Sequence, residues 1–158
     1  MELSDLERID TKCMFKIYDK WPEIAAESFE RKFEKFDIQD IDHIVFAGMG
    51  GSGSIGDTIA AILSKKNIHV SNVKGYLLPK TVDSKTLVIA TSVSGDTVET
   101  LSVIEQAKKT NAKIIGFSSG SKMESYCRSN NIFFQKIPMI HSPRASYTNF
   151  LFSILNIL

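Results

Sequence analysis

The sequence predicts an α/β fold, a three-layer αβα sandwich built on a five-stranded parallel sheet. From about residue 41 onward, short apolar runs alternate with amphipathic segments, and this alternation requires right-handed crossovers and a parallel sheet covered on both faces. With 158 residues, 43% of them hydrophobic, the chain can bury a core without metal or disulfide support. The five predicted strands are residues 44–47, 68–73, 87–91, 114–117 and 132–134.

Residues 1–40 predict a helical segment that packs on the domain formed by residues 41–158. Pro22 divides it, because proline is tolerated in the first turn of a helix and not in its interior. We therefore expect two helices, the second reaching Phe36. The apolar residues at helical spacing are Leu3, Leu6, Ile9, Cys13 and Ile17, then Ile24, Phe29, Phe33 and Phe36.

Later in the chain, helices are expected over residues 54–64, 97–109 and 122–128, each joining two strands. The segment from Tyr147 to Leu158 is apolar on all sides, which is unusual for a helix at a surface. We expect it to be covered by a second copy, a partner chain or a further domain.

Composition excludes several function classes. With 19 basic and 18 acidic residues the net charge is +1, so the chain lacks the overall positive charge that would attract nucleic acid or an acidic membrane. The two cysteines, Cys13 and Cys127, have no metal-type spacing, and no metal site is expected. The acidic start lacks the pattern of a signal peptide, and no apolar run approaches the ~20 residues of a membrane span, so we expect a cytoplasmic protein.

The first predicted strand runs into a glycine loop, Gly48-Met49-Gly50-Gly51-Ser52-Gly53, that opens a helix. Unpaired N–H groups and the positive end of the helix dipole favour an anion there, most often a phosphate. The loop also satisfies the G-x-G-x-x-G dinucleotide pattern. That pattern needs an acidic residue about 20 residues on, and none occurs between Asp57 and Asp83; Lys74 could only favour a phosphorylated ribose. Dinucleotide binding is therefore the weaker alternative.

The third predicted strand is followed by a second loop, residues 92–100, with three hydroxyl side chains: Ser92, Ser94 and Thr97. Asp96 and Glu99 fit a capping box at the start of the next helix. Capping does not require the three hydroxyl groups, so we interpret them as a second anion-binding loop.

The two loops can share one ligand only if their strands are neighbours. In the flavodoxin-like strand order 2-1-3-4-5, strands one and three lie ~4.8 Å apart and both loops face the crevice at their carboxyl ends. In the dinucleotide-type order, strand two would separate them. The loops therefore favour the order 2-1-3-4-5 and a small phosphorylated ligand.

After the last strand, Pro143-Arg144-Ala145 places an arginine at the same edge of the sheet, where it can stabilise negative charge on a substrate or intermediate. His141 lies nearby, in a loop where a histidine usually has no special role.

Together these three motifs resemble the sugar isomerase (SIS) domain, specifically the amino-terminal half of bifunctional phosphoglucose/phosphomannose isomerases. The resemblance runs from about His43 to the carboxyl end. The family's second motif typically has the sequence Ser-Tyr-Ser-Gly-Asn-Thr-Glu-Glu-Thr, so Val93, Asp96 and Val98 depart from it. Asp96 would weaken phosphate binding unless its side chain turns back to cap the helix.

The resemblance implies interconversion of glucose 6-phosphate or mannose 6-phosphate with fructose 6-phosphate through a cis-enediol, without a cofactor, within sugar metabolism such as glycolysis and gluconeogenesis. It implies that Arg144 is catalytic and lies near C1 and C2 of the opened sugar. It also implies that the phosphate is held by Gly50, Gly51, Ser52, Ser92, Ser94 and Thr97.

In the family, the general base and a ring-opening histidine come from a second SIS domain, which residues 1–158 do not include. We therefore expect a homodimer or a second SIS domain as partner. The alternatives are a non-catalytic phosphosugar-binding module and, with less support, an NADP-binding oxidoreductase domain.

Overall fold

A computed structural model describes residues 3–158, and it confirms the predicted architecture. Five parallel strands form one sheet in the order β2-β1-β3-β4-β5. The strands are β1 His43–Ala47, β2 His69–Val73, β3 Thr86–Ser92, β4 Lys113–Ser118 and β5 Phe133–Lys136. The helices are α1 Leu3–Ile9, α2 Phe15–Asp19, α3 Trp21–Phe29, α4 Gly50–Leu63, α5 Val98–Ala107, α6 Ser121–Ser129 and α7 Tyr147–Ile157.

Strands β1 and β3 are buried on both faces, which explains why their sequences are largely continuous apolar runs. Along β1, Ile44 and Phe46 point to the core shared with α4 and α7, whereas Val45 and Ala47 point to the core shared with α5. Helices α3, α4 and α7 thus cover one face of the sheet, and α5 and α6 cover the other. This gives the three predicted layers.

The amino-terminal segment differs from the prediction. It contains three short helices instead of two, and its helical part ends at Phe29; Met1 and Glu2 of the predicted segment lie outside the described residues. Cys13 adopts a left-handed backbone conformation with φ of 53°, which separates α1 from α2. Pro22 occupies the first turn of α3, as expected. Phe36 follows α3 in a segment without regular secondary structure and packs against Phe133, so tertiary contacts outweigh its helical spacing.

The expected need of the last helix for outside cover was wrong. None of the residues of α7 is exposed, because α3 and α4 of the same chain pack against it. Asn149 of α7 is fully buried and links this helix to α3 and to the segment after β5. Its Oδ1 accepts a hydrogen bond from Ser28 Oγ at 2.8 Å, and its Nδ2 donates to Pro138 O at 2.8 Å. An amide in the middle of an apolar helix is satisfied in this way.

None of the helices formed by residues 3–158 is long and apolar enough to span a membrane.

At the amino-terminal edge of the sheet, a buried histidine joins three strands. His43 Nε2 lies 3.0 Å from Ser71 Oγ, which also lies 3.1 Å from His69 Nε2, and His43 Nδ1 lies 3.3 Å from Thr86 Oγ1. Burial lowers the pKa of His43, and the neighbouring His69 lowers it further; Asp83, the Thr81 backbone and Asp42 oppose this. The folded chain therefore resists protonation of His43.

We predict that stability falls as the pH drops below about 6.5, where the unfolded histidine binds a proton and the folded one does not. The His43→Asn variant should be less stable than wild type at about pH 7.5 but should lose less stability on going to about pH 5.5. Urea unfolding midpoints at the two pH values measure this. His141→Asn removes another histidine, from an exposed loop, and is the matched control. An unchanged pH dependence in His43→Asn would contradict the prediction.

Candidate functional site

A cavity of about 570 Å³ opens at the carboxyl edge of the sheet. Its walls come from the β1–α4 loop, the β3–α5 loop, the segment before α7, and α3. The lining residues are Trp21, Met49, Gly51, Ser52, Ser54, Val93, Ser94, Thr97, Pro143, Arg144 and Tyr147. The adjacency of β1 and β3 brings the two predicted anion loops to one space, as the strand-order argument required.

The first loop is already helical where the sequence suggested an open loop. Helix α4 begins at Gly50, four residues earlier than expected, and Gly50 has a left-handed φ of 53°. The carbonyl of Met49 accepts the N–H groups of Ser52 and Gly53. Within residues 3–158 the N–H groups of Gly50 and Gly51 have no partner, as is usual at a helix start, so they are available to an anion.

Glycine is required where this loop packs against its neighbours. A Cβ atom at Gly53 would lie 2.7 Å from the Gly48 carbonyl oxygen. A Cβ atom at Gly48 would lie 3.0 Å from the carbonyl oxygen of Thr91, on the adjacent strand β3. The glycines thus allow the first loop to lie directly against the strand that leads into the second.

The second loop is organised by the buried hydroxyl of Ser92. Its Oγ accepts the Gly95 N–H at 3.1 Å and lies 2.7 Å from Thr97 Oγ1. When Ser92 donates its own proton to Thr97, the Thr97 proton is free to point into the cavity. Ser94 is exposed, and its Oγ accepts the Asp96 N–H at 3.3 Å, which likewise leaves its proton available.

The predicted capping box is wrong. Helix α5 begins at Val98 with Thr97 as its N-cap, and Asp96 lies outside the helix. The Asp96 carboxylate instead accepts a hydrogen bond from Ser121 Oγ at 2.7 Å, at the first residue of α6. The positive end of the helix dipole favours a carboxylate, so Asp96 is stabilised at the start of α6 and does not cap α5.

The same contact between loops requires glycine at position 95. Gly95 has φ of 78°, and a Cβ atom there would lie 2.0 Å from the Gly120 carbonyl oxygen. The Gly95 carbonyl also accepts the Met123 N–H of α6 at 2.9 Å. The second loop is therefore fixed between its own helix and α6.

Arg144 lies in a short turn between β5 and α7, and its side chain is exposed at the cavity. No carboxylate among residues 3–158 forms an ion pair with it, so its charge is available to a ligand. The turn is held from two sides: the Trp21 indole Nε1 donates to Ala145 O at 3.2 Å, and Ser142 Oγ accepts the Ala145 N–H at 3.4 Å.

Two aromatic side chains form a wall that the sequence did not reveal. Trp21 and Tyr147 both line the cavity, with ring centroids 6.3 Å apart and planes inclined by 30°. The Tyr147 hydroxyl lies 2.6 Å from Thr58 Oγ1 on α4. The helical spacing of α7 could have indicated Tyr147, which follows Arg144 by three residues. Nothing local in the sequence shows that α3 folds over this edge.

Of the predicted site residues, Gly51, Ser52, Ser94, Thr97 and Arg144 line the cavity together. Of the two others, Ser92 is buried and contacts the lining residue Thr97, whereas Gly50 is exposed and is not among the lining residues. Whether any of these residues binds phosphate stays a prediction. His141 lies elsewhere, with its Nε2 at 2.9 Å from Lys12 O.

The cavity contains donors and one cation, but its lining includes no carboxylate and no histidine from the described part of the chain. Asp57, at the outer side of α4, accepts hydrogen bonds from Asn72 and Lys74. Burial raises the pKa of the Cys127 thiol to about 11, so it is not a nucleophile at neutral pH. No cluster of three or more metal-type side chains occurs among residues 3–158. The arrangement can bind an anion and stabilise developing negative charge.

Comparison with curated proteins finds relatives that are longer than this chain. The bifunctional phosphoglucose/phosphomannose isomerase of Caldicellulosiruptor bescii is 42% identical over 109 residues, which cover 68% of this chain and 32% of that protein. The protein of the same name from Aquifex aeolicus is 36% identical over 140 residues, or 85% of this chain and 44% of that one. The chain thus spans a third to less than half of the length of these relatives.

Among solved structures, an Escherichia coli protein in complex with arabinose 5-phosphate has the same fold, with a TM-score of 0.67 at 20% identity. The match covers 99% of this chain and 88% of that one. The family model described as "SIS domain" matches residues 37–157, which contain both anion loops and the Arg144 turn. On the fold, the relatives and this match, the chain belongs to the SIS domain family.

Proposed function

We propose that this chain is the phosphosugar-binding SIS domain of an aldose–ketose isomerase that interconverts glucose 6-phosphate, and mannose 6-phosphate, with fructose 6-phosphate. The observation that carries the proposal is the convergence of two helix-opening loops and one unpaired arginine on one cavity. The names of the relatives supply the choice of hexose phosphates. The strand order favours a small phosphorylated ligand over a dinucleotide.

In this proposal the phosphate is held by neutral donors. They are the N–H groups of Gly50 and Gly51 and the hydroxyls of Ser52, Ser94 and Thr97, with Ser92 holding Thr97 in place. The starts of α4 and α5 both face the cavity, and their dipoles add to the attraction of a dianion.

The reaction we propose is a proton transfer between C1 and C2 of the open-chain sugar through a cis-enediol. A base removes the proton from one carbon and returns it to the other, while the Arg144 guanidinium stabilises negative charge on the enediolate oxygen. No described lining residue of the cavity is a suitable base. We propose that the base comes from a second SIS domain, either in a longer chain or in a homodimer. We also propose that the protein acts in the cytoplasm.

The absence of a carboxylate and a histidine from the described cavity lining also favours a second candidate, a non-catalytic module that binds a phosphosugar. The two candidates share the binding site and differ in turnover. An assay of the purified chain alone and with added second-half domains of the relatives separates them.

Ser94→Ala should weaken fructose 6-phosphate binding by about 1.5–3 kcal/mol, because the variant loses a hydrogen bond to a charged group. Isothermal titration calorimetry measures the effect. Ser125→Ala removes a similar exposed hydroxyl on α6, outside the cavity, and should bind as wild type does. Equal affinity for Ser94→Ala and wild type would place the phosphate elsewhere.

Asp96→Asn should strengthen fructose 6-phosphate binding by roughly twofold to fivefold, since it removes a negative charge beside the phosphate loop. The asparagine carbonyl can still accept the Ser121 hydrogen bond, so the loop should keep its conformation. The gain should shrink in high salt, because screening weakens the lost repulsion. Asp40→Asn, with the same charge change in an exposed residue before β1, is the control. Unchanged or weaker binding by Asp96→Asn would contradict the prediction.

The purified 158-residue chain should bind fructose 6-phosphate but convert it poorly or not at all, because the described cavity lining supplies no general base. General-base catalysis typically contributes 10²- to 10⁴-fold to the rate. A coupled assay for glucose 6-phosphate formation measures the turnover. Rates in the ordinary enzyme range, about 1 to 10³ per second, that disappear in Arg144→Ala would show that the chain assembles a complete site by itself.

A further inference from the structure

We propose that Trp21, on the amino-terminal helix α3, is a substrate-binding residue whose indole ring packs against the carbon skeleton of the sugar. The inference rests on the proposed function, and it extends the binding site beyond the two loops and Arg144. It assigns to the amino-terminal segment, most of which precedes the matched SIS region, a direct role in ligand recognition.

The placement of Trp21 in the cavity is the first argument. Its side chain is half-buried and lines the same cavity as Ser94, Thr97 and Arg144. Anion donors come from the β1–α4 and β3–α5 loops, and the cation comes from the turn before α7. Trp21 stands with Met49, Val93, Pro143 and Tyr147 as the apolar part of the lining. Small-ligand sites combine such apolar walls with a few placed polar groups.

The fixed orientation of the indole ring is the second argument. Tyr18 packs edge-on against it, with ring centroids 4.9 Å apart at 89°, and the Tyr147 ring lies 6.3 Å away at an angle of 30°. The Nε1–H donates to Ala145 O, next to Arg144. A ring that is already held in place by such contacts loses little freedom when a ligand packs on it.

The chemistry of the ligand is the third argument. A phosphosugar has a dianionic end and a carbon skeleton that bears C–H groups between its hydroxyls. The neutral donors and Arg144 suit the charged end, and only an apolar surface suits the C–H groups. Inorganic phosphate has no such part, so Trp21 should distinguish a phosphosugar from phosphate alone.

The chain contains one tryptophan, so its fluorescence reports directly on this residue. Titration of wild type with fructose 6-phosphate should change the emission intensity or wavelength along a saturable curve that matches the calorimetric affinity. Inorganic phosphate at the same ionic strength should compete for the site but change the emission much less.

Affinities of variants complete the test. Trp21→Leu should bind fructose 6-phosphate about tenfold more weakly than wild type and bind inorganic phosphate within about twofold of it. Trp21→Phe keeps an aromatic face, loses the bond to Ala145 O, and should give an intermediate loss. Tyr18→Leu removes packing behind Trp21 but leaves the indole in the cavity, so it should weaken fructose 6-phosphate binding less than Trp21→Leu does. Circular dichroism checks that each variant is folded.

The outcomes separate this inference from the function on which it rests. If wild type binds fructose 6-phosphate but its emission does not change and the Trp21→Phe affinity equals that of wild type, the inference is overturned and the proposed function stands. An equal loss in Tyr18→Leu would assign the effect to packing of the segment and also overturn the inference. If wild type binds no phosphosugar by calorimetry, both proposals fail. Should Trp21→Leu not fold, the wild-type fluorescence and Trp21→Phe still decide.

Discussion

The pairing of β1 with β3 is the constraint on which the rest of the site depends. The two strands are buried on both faces and pair in register from His43 with Thr86 to Ala47 with Ala90. Because the strands are parallel, both end at the same edge, and each is followed by a helix that begins there. The anion loops converge as a consequence of this backbone register. The glycines at positions 48 and 53 then allow the closest approach.

The packing of α7 against α3 completes the cavity. Ser28 and Asn149 form a buried hydrogen bond between the two helices, which fixes the position of α3 over the sheet. With α3 in this position, Trp21 reaches the carboxyl edge and its indole N–H holds the Ala145 carbonyl. The turn that carries Arg144 is thus held by a residue that precedes Ala145 by 124 positions in the chain.

The sequence was sufficient to predict the sheet, because strands and turns are encoded locally. The runs around Ile44, Ile89 and Ile115 are apolar since both faces are covered, and glycine loops punctuate them. The strand order followed from one further argument, that two anion loops need neighbouring strands. For these elements local pattern and tertiary structure agree, which is why the prediction succeeded.

Several of the failures involve contacts between elements distant in sequence. Phe36 has helical spacing with Phe29 but lies outside any helix, where it makes an aromatic contact with Phe133. Asp96 has capping-box spacing with Glu99 but bonds to Ser121, which only the tertiary fold brings near. The burial of α7 and the position of Trp21 could not be predicted from local sequence either, since each depends on where α3 packs.

The starts of three helices lie at the carboxyl edge of the sheet and interact with different groups there. Parallel strands place the positive ends of α4, α5 and α6 along one line, because each of these helices follows a strand that ends there. The first two begin beside the cavity, and the N–H groups of Gly50 and Gly51 at the start of α4 have no partner within residues 3–158. The third binds the Asp96 carboxylate of the second loop through Ser121. The negative charge of Asp96 beside the predicted anion site is thus partly offset by the neighbouring helix, and Arg144 is the only charged residue in the described lining of the cavity.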